Sequence, residues 1–226
     1  MLKKIINCLR SIGATSFSQL SKQEYIYLYA GDVGTHTKNG PVPFIGMSLN
    51  KSDRRHIKHD VRQAIPLPDN SVSIYQSEDV FEHLEYNEVL AIVNEVFRVL
   101  QPGGLFRFSL PDYRCDVLES RSLKDKEGKI AFDPGGGGRL YKGRVVDGGH
   151  LWFPTYESVA AVMNQSDFAI HGKINFLHYY DKDSNSITKK IDHSKGIISR
   201  TPDYDERVQA PRRAMSIVID AHKNAI

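Results

Sequence analysis

The amino-acid sequence predicts an α/β fold built on a mostly parallel sheet, and two neighbouring segments carry most of this prediction. Apolar and polar residues alternate over 72–77, as in a strand, and apolar residues recur with helical spacing over 89–100. A second strand is predicted over 105–110, after the turn formed by Pro102-Gly103-Gly104. A strand, a helix and a further strand connected in this way form a right-handed parallel crossover.

The ends of this crossover indicate where a ligand would bind. Asn87 is predicted to cap the helix, and Pro102 and the two glycines are predicted to end it, because proline cannot continue a helix and glycine accepts a left-handed turn. In parallel sheets, ligands bind beyond the carboxyl ends of the strands. Residues 76–79 and 111–114 are therefore expected to share one crevice.

The composition narrows the class of protein. The chain has 226 residues, 40% hydrophobic and 25% charged, which predicts a single globular domain over 1–226. Its formal charge of +3 comes without a basic stripe interleaved with aromatics, so no nucleic-acid partner is expected. Cys8 and Cys115 are too few for a disulfide framework or a thiolate metal site. A reducing compartment, most simply the cytoplasm, is expected.

The N-terminal segment 1–23 is predicted to be a short basic amphipathic helix and a polar linker. The apolar residues that share one face of this helix are Leu2, Ile5, Ile6, Leu9 and Ile12. The helix is too short to span a bilayer. It is predicted to cover the sheet or a partner subunit, and a weak contact of residues 1–12 with a membrane surface is the alternative.

The first half of the chain supplies three more predicted strands, over 25–30, 44–49 and 56–61. The first of these strands runs into the turn Gly31-Asp32-Val33-Gly34-Thr35. The loop 36–43 that follows is too short and too rich in glycine and proline for a long crossover helix.

The second half of the chain changes character. Residues 113–123 can form a helix, and 124–150 form a polar, glycine-rich insertion of the kind that is either disordered or a working lid. Thr155 is predicted to cap the next helix. The remaining strands are predicted over 169–180 and over 216–221. The charged segment 181–211 between them is interpreted as a solvated connection, with contact to a substrate as the alternative.

Two stretches, PLPDNSVSIYQSEDVFEHLE (66–85) and EVFRVLQPGGLFRFSLPD (95–112), resemble the middle of class I S-adenosylmethionine-dependent methyltransferases. The likeness is greatest to small bacterial members of type 11, often encoded with polysaccharide-modifying enzymes, and it covers roughly 24–112. The resemblance implies a Rossmann-like three-layer sandwich with a mostly parallel seven-stranded sheet and an antiparallel edge strand, which would be the segment 216–221. It also implies S-adenosyl-L-methionine as the cofactor and a small-molecule or sugar acceptor, methylated at oxygen.

The resemblance also implies where the cofactor binds. The positions that correspond to the family's cofactor-binding residues are Ala30, Gly31, Asp32, Gly34, Ser48, Asp60, Ser77 and Glu78. Two positions depart from the family pattern. Asp32 and Val33 fill the turn between its two glycines, and Ser48 stands where the family usually has an acidic residue that binds the ribose hydroxyls. A serine cannot supply a charge-assisted hydrogen bond, which is roughly twice as strong as a neutral one.

A hydroxyl acceptor needs a general base. His150, which follows Asp147-Gly148-Gly149, is the first candidate because an ordinary histidine pKa lies in a useful range, and Asp79 and Asp112 are the next. His83, beside Glu82, is interpreted as structural. A metal site formed by Asp79, Asp112 and His150 is geometrically conceivable, but no local ligand spacing supports it, so no metal is predicted. The alternative function is a methyltransferase-like scaffold that has weakened or lost cofactor binding and acts as a binding or assembly protein.

Overall fold

The computed structural model describes residues 14–225, so the predicted helix over 1–12 lies outside the described residues. The strands in the described part of the chain are β1 (Tyr27–Ala30), β2 (Ile45–Ser48), β3 (His56–Lys58), β4 (Val72–Glu78), β5 (Leu100–Pro111), β6 (Leu123–Lys124), β7 (Ile130–Phe132), β8 (Arg139–Tyr141), β9 (Arg144–Val146), β10 (Gly172–Tyr180), β11 (Ser186–Thr188) and β12 (Ser216–Lys223).

The α-helices of the same part are α1 (Phe17–Leu20), α2 (Thr35–Lys38), α3 (Tyr86–Val99), α4 (Asp116–Arg121), α5 (Tyr156–Met163) and α6 (Asp167–His171). Single 3₁₀ turns occupy Phe81–His83, Pro134–Gly136, His193–Lys195 and Glu206–Val208. Across 14–225, no helix has both the length and the apolar character needed to cross a bilayer.

Eight of the strands form one sheet, in the order β11-β10-β12-β5-β4-β1-β2-β3. The pairs among β1 to β5 are parallel, and β12 is antiparallel to both β5 and β10. The predicted α/β fold with a mostly parallel sheet is confirmed, with eight strands instead of seven. The antiparallel edge strand is β11, which lies in a segment predicted to be a loop. The predicted edge position of 216–221 is wrong, because β12 lies inside the sheet.

One face of the sheet is covered by helices. The predicted crossover helix is α3, whose buried side includes Val89, Ile92 and Val96. It begins at Tyr86, and Glu85 caps it in a reciprocal pair with Glu88, so the predicted cap at Asn87 is wrong. The apolar face of α3, together with α5 and α6, packs on strands β4, β5 and β12 and forms the main core of the molecule.

The other face of the sheet is covered by connections, among them the segment 192–201. Arg107 on β5 is fully buried and donates two hydrogen bonds to Asp220, at 2.8 and 2.7 Å. It also donates to the carbonyl oxygens of Asp192 (2.9 Å) and Gly196 (2.6 Å). Ile198 in this segment is fully buried. The interpretation of 181–211 as a solvated connection is therefore wrong, since part of it packs onto the sheet.

The insertion 124–150 forms regular structure of its own. β6 pairs with β7, and β8 pairs with β9, in two antiparallel ribbons. Its glycines allow close packing. A Cβ atom on Gly136 would lie 2.7 Å from the ring of His150, and Gly138 has a φ of +66°. Glycine therefore allows residues 136–138 to pack closely against residues 145–150 at the end of the same insertion.

Replacing Arg107 with methionine should lower the free energy of unfolding by about 3–5 kcal/mol, because it leaves the largely buried Asp220 carboxylate without its partner. Urea denaturation measures this loss. Arg139→Met is the matched control: Arg139 contacts Asp147 at 2.6 Å, but both side chains are more than half exposed. Exposed pairs contribute little. Equal losses in the two variants would contradict a stabilising role for the buried pair.

Candidate functional site

The carboxyl ends of the parallel strands meet at one edge of the sheet. Gln76 on β4 is in register with Tyr29 on β1 and with Arg107 on β5, and Glu78 is in register with Ser109. The ends of β4 and β5 therefore lie side by side, as the crossover predicted. This edge is the candidate site.

The segment that follows the insertion is attached to the 3₁₀ turn after β4. The ring of His83 hydrogen-bonds through Nδ1 to the carbonyl of Gly148 at 2.8 Å, and the Leu151 amide donates to the carbonyl of Glu82 at 2.7 Å. The indole of Trp152 donates to the carbonyl of Phe81 at 3.0 Å. These bonds bring His150 next to the turn.

His150 is 3% exposed and is positioned by a chain of buried polar groups. Its Nδ1 atom lies 2.5 Å from the hydroxyl of Tyr113, which is 2.6 Å from Asp133. Arg121 donates to the same Asp133 oxygen at 2.6 Å. Burial, with the charge of His83 next in size, lowers the pKa of His150 to about 4. His150 is therefore neutral at pH 7, and it is a weaker base than its ordinary pKa predicts.

Glu82 is fully buried, and neither of its carboxyl oxygens has a hydrogen-bond partner. Its Oε1 atom lies 3.5 Å from Nε2 of His150 and 4.0 Å from Nε2 of His83. Burial and then the charge of Asp79 raise the pKa of Glu82 well above its ordinary value. Glu82, His83 and His150 each offer one ligand atom, all within 4.8 Å of one another. We call these three residues the EHH cluster.

Two more acidic residues lie at the end of β4. Asp79 has an unusual backbone φ of 54°, its Oδ2 atom is 2.9 Å from Nε of Arg200, and its buried Oδ1 atom has no partner. Burial raises the pKa of Asp79, and the charge of Arg200 opposes that shift. Glu78 accepts hydrogen bonds from the amides of Ser199 (2.6 Å) and Arg200 (3.2 Å). Burial and then Asp79 raise the pKa of Glu78 to about 7.

Asp112, the third predicted catalytic residue, has both of its oxygens engaged elsewhere. Oδ1 accepts from the amide of Arg114 at 3.0 Å, and Oδ2 accepts from the amide of Tyr180 at 2.7 Å. Burial raises its pKa to about 6 against the effect of these hydrogen bonds. Asp112 connects the end of β5 to the end of β10, and it makes no hydrogen bond to the EHH cluster.

The predicted cofactor residues of the first two strands lie at the same edge of the sheet. Ala30 is buried, and Gly31 has a φ of +80°. Asp32 lies 2.5 Å from the ammonium of Lys51, and both side chains are about half exposed. Burial alone would raise the pKa of Asp32, but hydrogen bonds from Lys51 and Ser48 lower it. Asp32 therefore places a negative charge next to Ser48.

The other predicted cofactor residues have distinct surroundings. Ser48 is buried, and its hydroxyl accepts from the amides of Asn50 (3.1 Å) and Lys51 (3.0 Å). Asp60 is paired with Arg62 at 2.6 Å, and the buried hydroxyl of Ser77 has no partner. A Cβ atom built on Gly34 would meet nothing within 4 Å, so open space lies in front of this residue.

Sequence reasoning missed several residues of the site. The tandem Glu82-His83 after a strand is a usable signal, although the sequence predicts a structural role for His83. Tyr113 lies in the stretch 111–114 that the sequence places at the crevice, but no chemical role is predicted for it. Arg200 lies in the charged segment 181–211, for which contact with a substrate is the alternative prediction. Asp133 has no such signal, because it reaches the site from a distant segment whose path the local sequence pattern does not reveal.

Three comparisons relate this chain to known proteins. Residues 42–108 match the family model described as "Methyltransferase domain". A 59-residue stretch is 42% identical to a "Probable S-adenosylmethionine-dependent methyltransferase" of Mycolicibacterium smegmatis, over 26% of this chain and 22% of that protein. A solved S-adenosylmethionine-dependent methyltransferase from Clostridium acetobutylicum superposes with a TM-score of 0.51 at 11% identity, over 99% of this chain and 96% of the other. This superposition shows a shared fold.

Replacing Asp112 with asparagine should lower the free energy of unfolding by about 1–3 kcal/mol, because the new amide group would face a buried backbone N–H that has lost its acceptor. Denaturant titration measures the change. Asp125→Asn is the matched control, since Asp125 also accepts from two backbone amides, those of Glu127 and Lys129, but in an exposed turn. An equal loss of unfolding free energy in the control would show that burial does not determine the contribution of Asp112 to stability.

Proposed function

We propose that this chain, whose centre is a class I S-adenosylmethionine-dependent methyltransferase domain, binds S-adenosyl-L-methionine at the ends of β1, β2 and β4. The methyl group passes to a hydroxyl of a small molecule or sugar. One observation carries the proposal: buried acidic groups and partnerless oxygens converge where parallel strands end, in a chain whose residues 42–108 match the methyltransferase domain.

The residues at this edge fit the cofactor. Space in front of Gly34 leaves room for the methionine part, and the ionised Asp32 is available to the ribose hydroxyls. Asp32 thus supplies, from the end of β1, the charge that Ser48 lacks at the end of β2. The hydroxyl of Ser77 and Oδ1 of Asp79 are buried without partners and can be satisfied by a bound ligand.

The chain's own residues supply the rest of the chemistry. S-adenosyl-L-methionine, when bound, provides an activated methyl group on a positively charged sulfur. We assign Asp79 as the base: its free Oδ1 atom accepts the proton of the acceptor hydroxyl, and its raised pKa makes it a stronger base than an ordinary aspartate. Arg200 holds the other carboxylate oxygen and so orients the side chain. His150, with its pKa of about 4, is less suited to this role.

The acceptor class rests on the resemblance to small bacterial methyltransferases encoded with polysaccharide-modifying enzymes, which favours a sugar. The insertion 124–150 ends at His150 and is attached through Gly148 to His83, so it is placed to cover this acceptor. A cytoplasmic location is part of the same proposal, supported by the free thiol of Cys115. The alternative function, a scaffold with weakened or lost cofactor binding, is supported by the serine at position 48. Such a scaffold would bind S-adenosyl-L-methionine weakly or not at all.

Gly34→Val should weaken binding of S-adenosyl-L-methionine at least about tenfold by filling the open space, while the melting temperature stays unchanged. Gly34 has a φ of −68°, which valine adopts without strain, whereas Gly31, at +80°, would strain any side chain. Isothermal titration calorimetry measures the affinity, and Gly34→Ala should show a smaller loss. No binding heat from the wild-type protein at millimolar cofactor would favour the scaffold.

Asp79→Asn should reduce methyl transfer about 100-fold or more while preserving affinity for the cofactor, because the amide cannot accept the proton. Transfer of a radiolabelled methyl group to a panel of sugars and small hydroxyl compounds measures the rate. Asp69→Asn is the control, because this carboxylate precedes β4 at the opposite end of the strand, where it pairs with Arg98. An unchanged rate of methyl transfer in Asp79→Asn would exclude Asp79 as the base.

A further inference from the structure

The EHH cluster has features that the proposed methyl transfer does not use. Its three side chains come from two separate segments that are held together by backbone hydrogen bonds. The protons on its two histidine rings can be assigned from the hydrogen bonds around them.

The first assignment concerns His150. Burial opposes ionisation of Asp133, but hydrogen bonds from Arg121 and Tyr113 outweigh this effect and lower its pKa, so Asp133 is a carboxylate. A carboxylate only accepts, and therefore the single proton of the Tyr113 hydroxyl points to Asp133. The Tyr113 oxygen then accepts from Nδ1 of His150. Nδ1 of His150 therefore carries a proton, and Nε2 is the ring nitrogen that faces Glu82, at 3.5 Å from Oε1.

The second assignment concerns His83. Its Nδ1 atom lies 2.8 Å from the carbonyl oxygen of Gly148, which can only accept a hydrogen bond. The ring nitrogen facing this carbonyl therefore carries a proton. In the neutral ring, Nε2 is again the free lone pair, and this atom lies 4.0 Å from Oε1 of Glu82.

The Nε2 atoms of both histidines thus face the carboxyl group of Glu82, and a single proton on that group can satisfy only one of them. Oε1 of Glu82 lies 3.5 Å from Nε2 of His150 and 4.0 Å from Nε2 of His83, and Glu82 is fully buried with both oxygens unpartnered. A proton shared between Glu82 and His150 would leave the lone pair of His83 unused. A cation satisfies all three donors together.

We propose that Glu82, His83 and His150 bind a divalent transition-metal cation. Two imidazole nitrogens and one carboxylate oxygen form a ligand set that suits zinc, cobalt, manganese or ferrous ions. Tetrahedral bonds of about 2.0–2.1 Å place neighbouring donors roughly 3.3 Å apart. The separations of 3.5 and 4.0 Å therefore require only small side-chain rotations.

The surroundings of the cluster are those of a metal site. Histidine ligands of metals usually donate their second ring N–H to a carbonyl or to a carboxylate network, which fixes the ring. Gly148 fills this role for His83, and Tyr113 with Asp133 fills it for His150. The side chain of His83 is 32% exposed, so a cation and its remaining ligands, water or an acceptor oxygen, can enter from that side.

The test uses the full chain after treatment with a chelator, titrated with Co²⁺ by visible absorption and with Zn²⁺ by calorimetry. We expect one cation per chain, a cobalt spectrum typical of nitrogen and oxygen ligands, and an increase in melting temperature of about 5 °C at saturating Zn²⁺. His83→Ala and Glu82→Gln should each weaken binding at least about tenfold. His193→Ala should not, because His193 pairs with Asp203 outside the cluster.

Tyr113→Phe is a second variant. It removes the hydroxyl that orients His150 and should weaken metal binding about tenfold without removing a ligand. If Glu82→Gln fails to fold, His83→Ala alone tests the proposal, because His83 is more exposed than Glu82. Failure of the wild-type chain to bind either cation, or equal affinity in His83→Ala, would overturn the proposal.

Titration with S-adenosyl-L-methionine in the presence of chelator separates this inference from the proposed function. Cofactor binding without metal binding would reject the metal site alone. Metal binding without cofactor binding would reject the methyltransferase alone.

Discussion

A concentration of buried acidic groups at the end of β4 is the constraint on which the rest of this site depends. Glu78, Asp79 and Glu82 lie within five residues of one another, and burial raises the pKa of each. Desolvated carboxyl groups without partners are costly. The structure compensates them in part, through Arg200 and two backbone amides, and leaves three oxygens free. Those free oxygens account for both proposed ligands, the methyl acceptor and the cation.

The two long segments after β5 connect the sheet to this edge. Segment 192–201 is held against β5 by Arg107 and reaches Glu78 and Asp79 through Ser199 and Arg200. This segment covers part of the sheet face opposite the helices. The connection from β1 to β2 is too short to supply a long helix on that face. The insertion 124–150 reaches the other side of the edge, where Asp133 and Gly136 approach His150. Each segment therefore has a structural and a functional role.

Much of the sheet could be predicted from the sequence, and the site only in part. The alternation in 72–77 and the helical spacing over 89–100 identified β4 and α3, and the parallel crossover predicted the shared edge. The position of β12 inside the sheet could not be derived, because strand order depends on long-range pairing. The role of Asp133 depends on a hydrogen bond to Tyr113 across 20 residues, and the low pKa of His150 depends on its burial. Neither leaves a local pattern.

A crystal structure tests most directly whether this edge of the sheet is a ligand site. The crystals would be grown with S-adenosyl-L-homocysteine and Co²⁺, and the data would be collected at the cobalt absorption edge. We expect electron density for the ligand between Gly34 and Asp32. We also expect one anomalous peak bounded by Glu82, His83 and His150. A crevice closed by the protein's own side chains, with no anomalous peak at these three residues, would contradict these expectations.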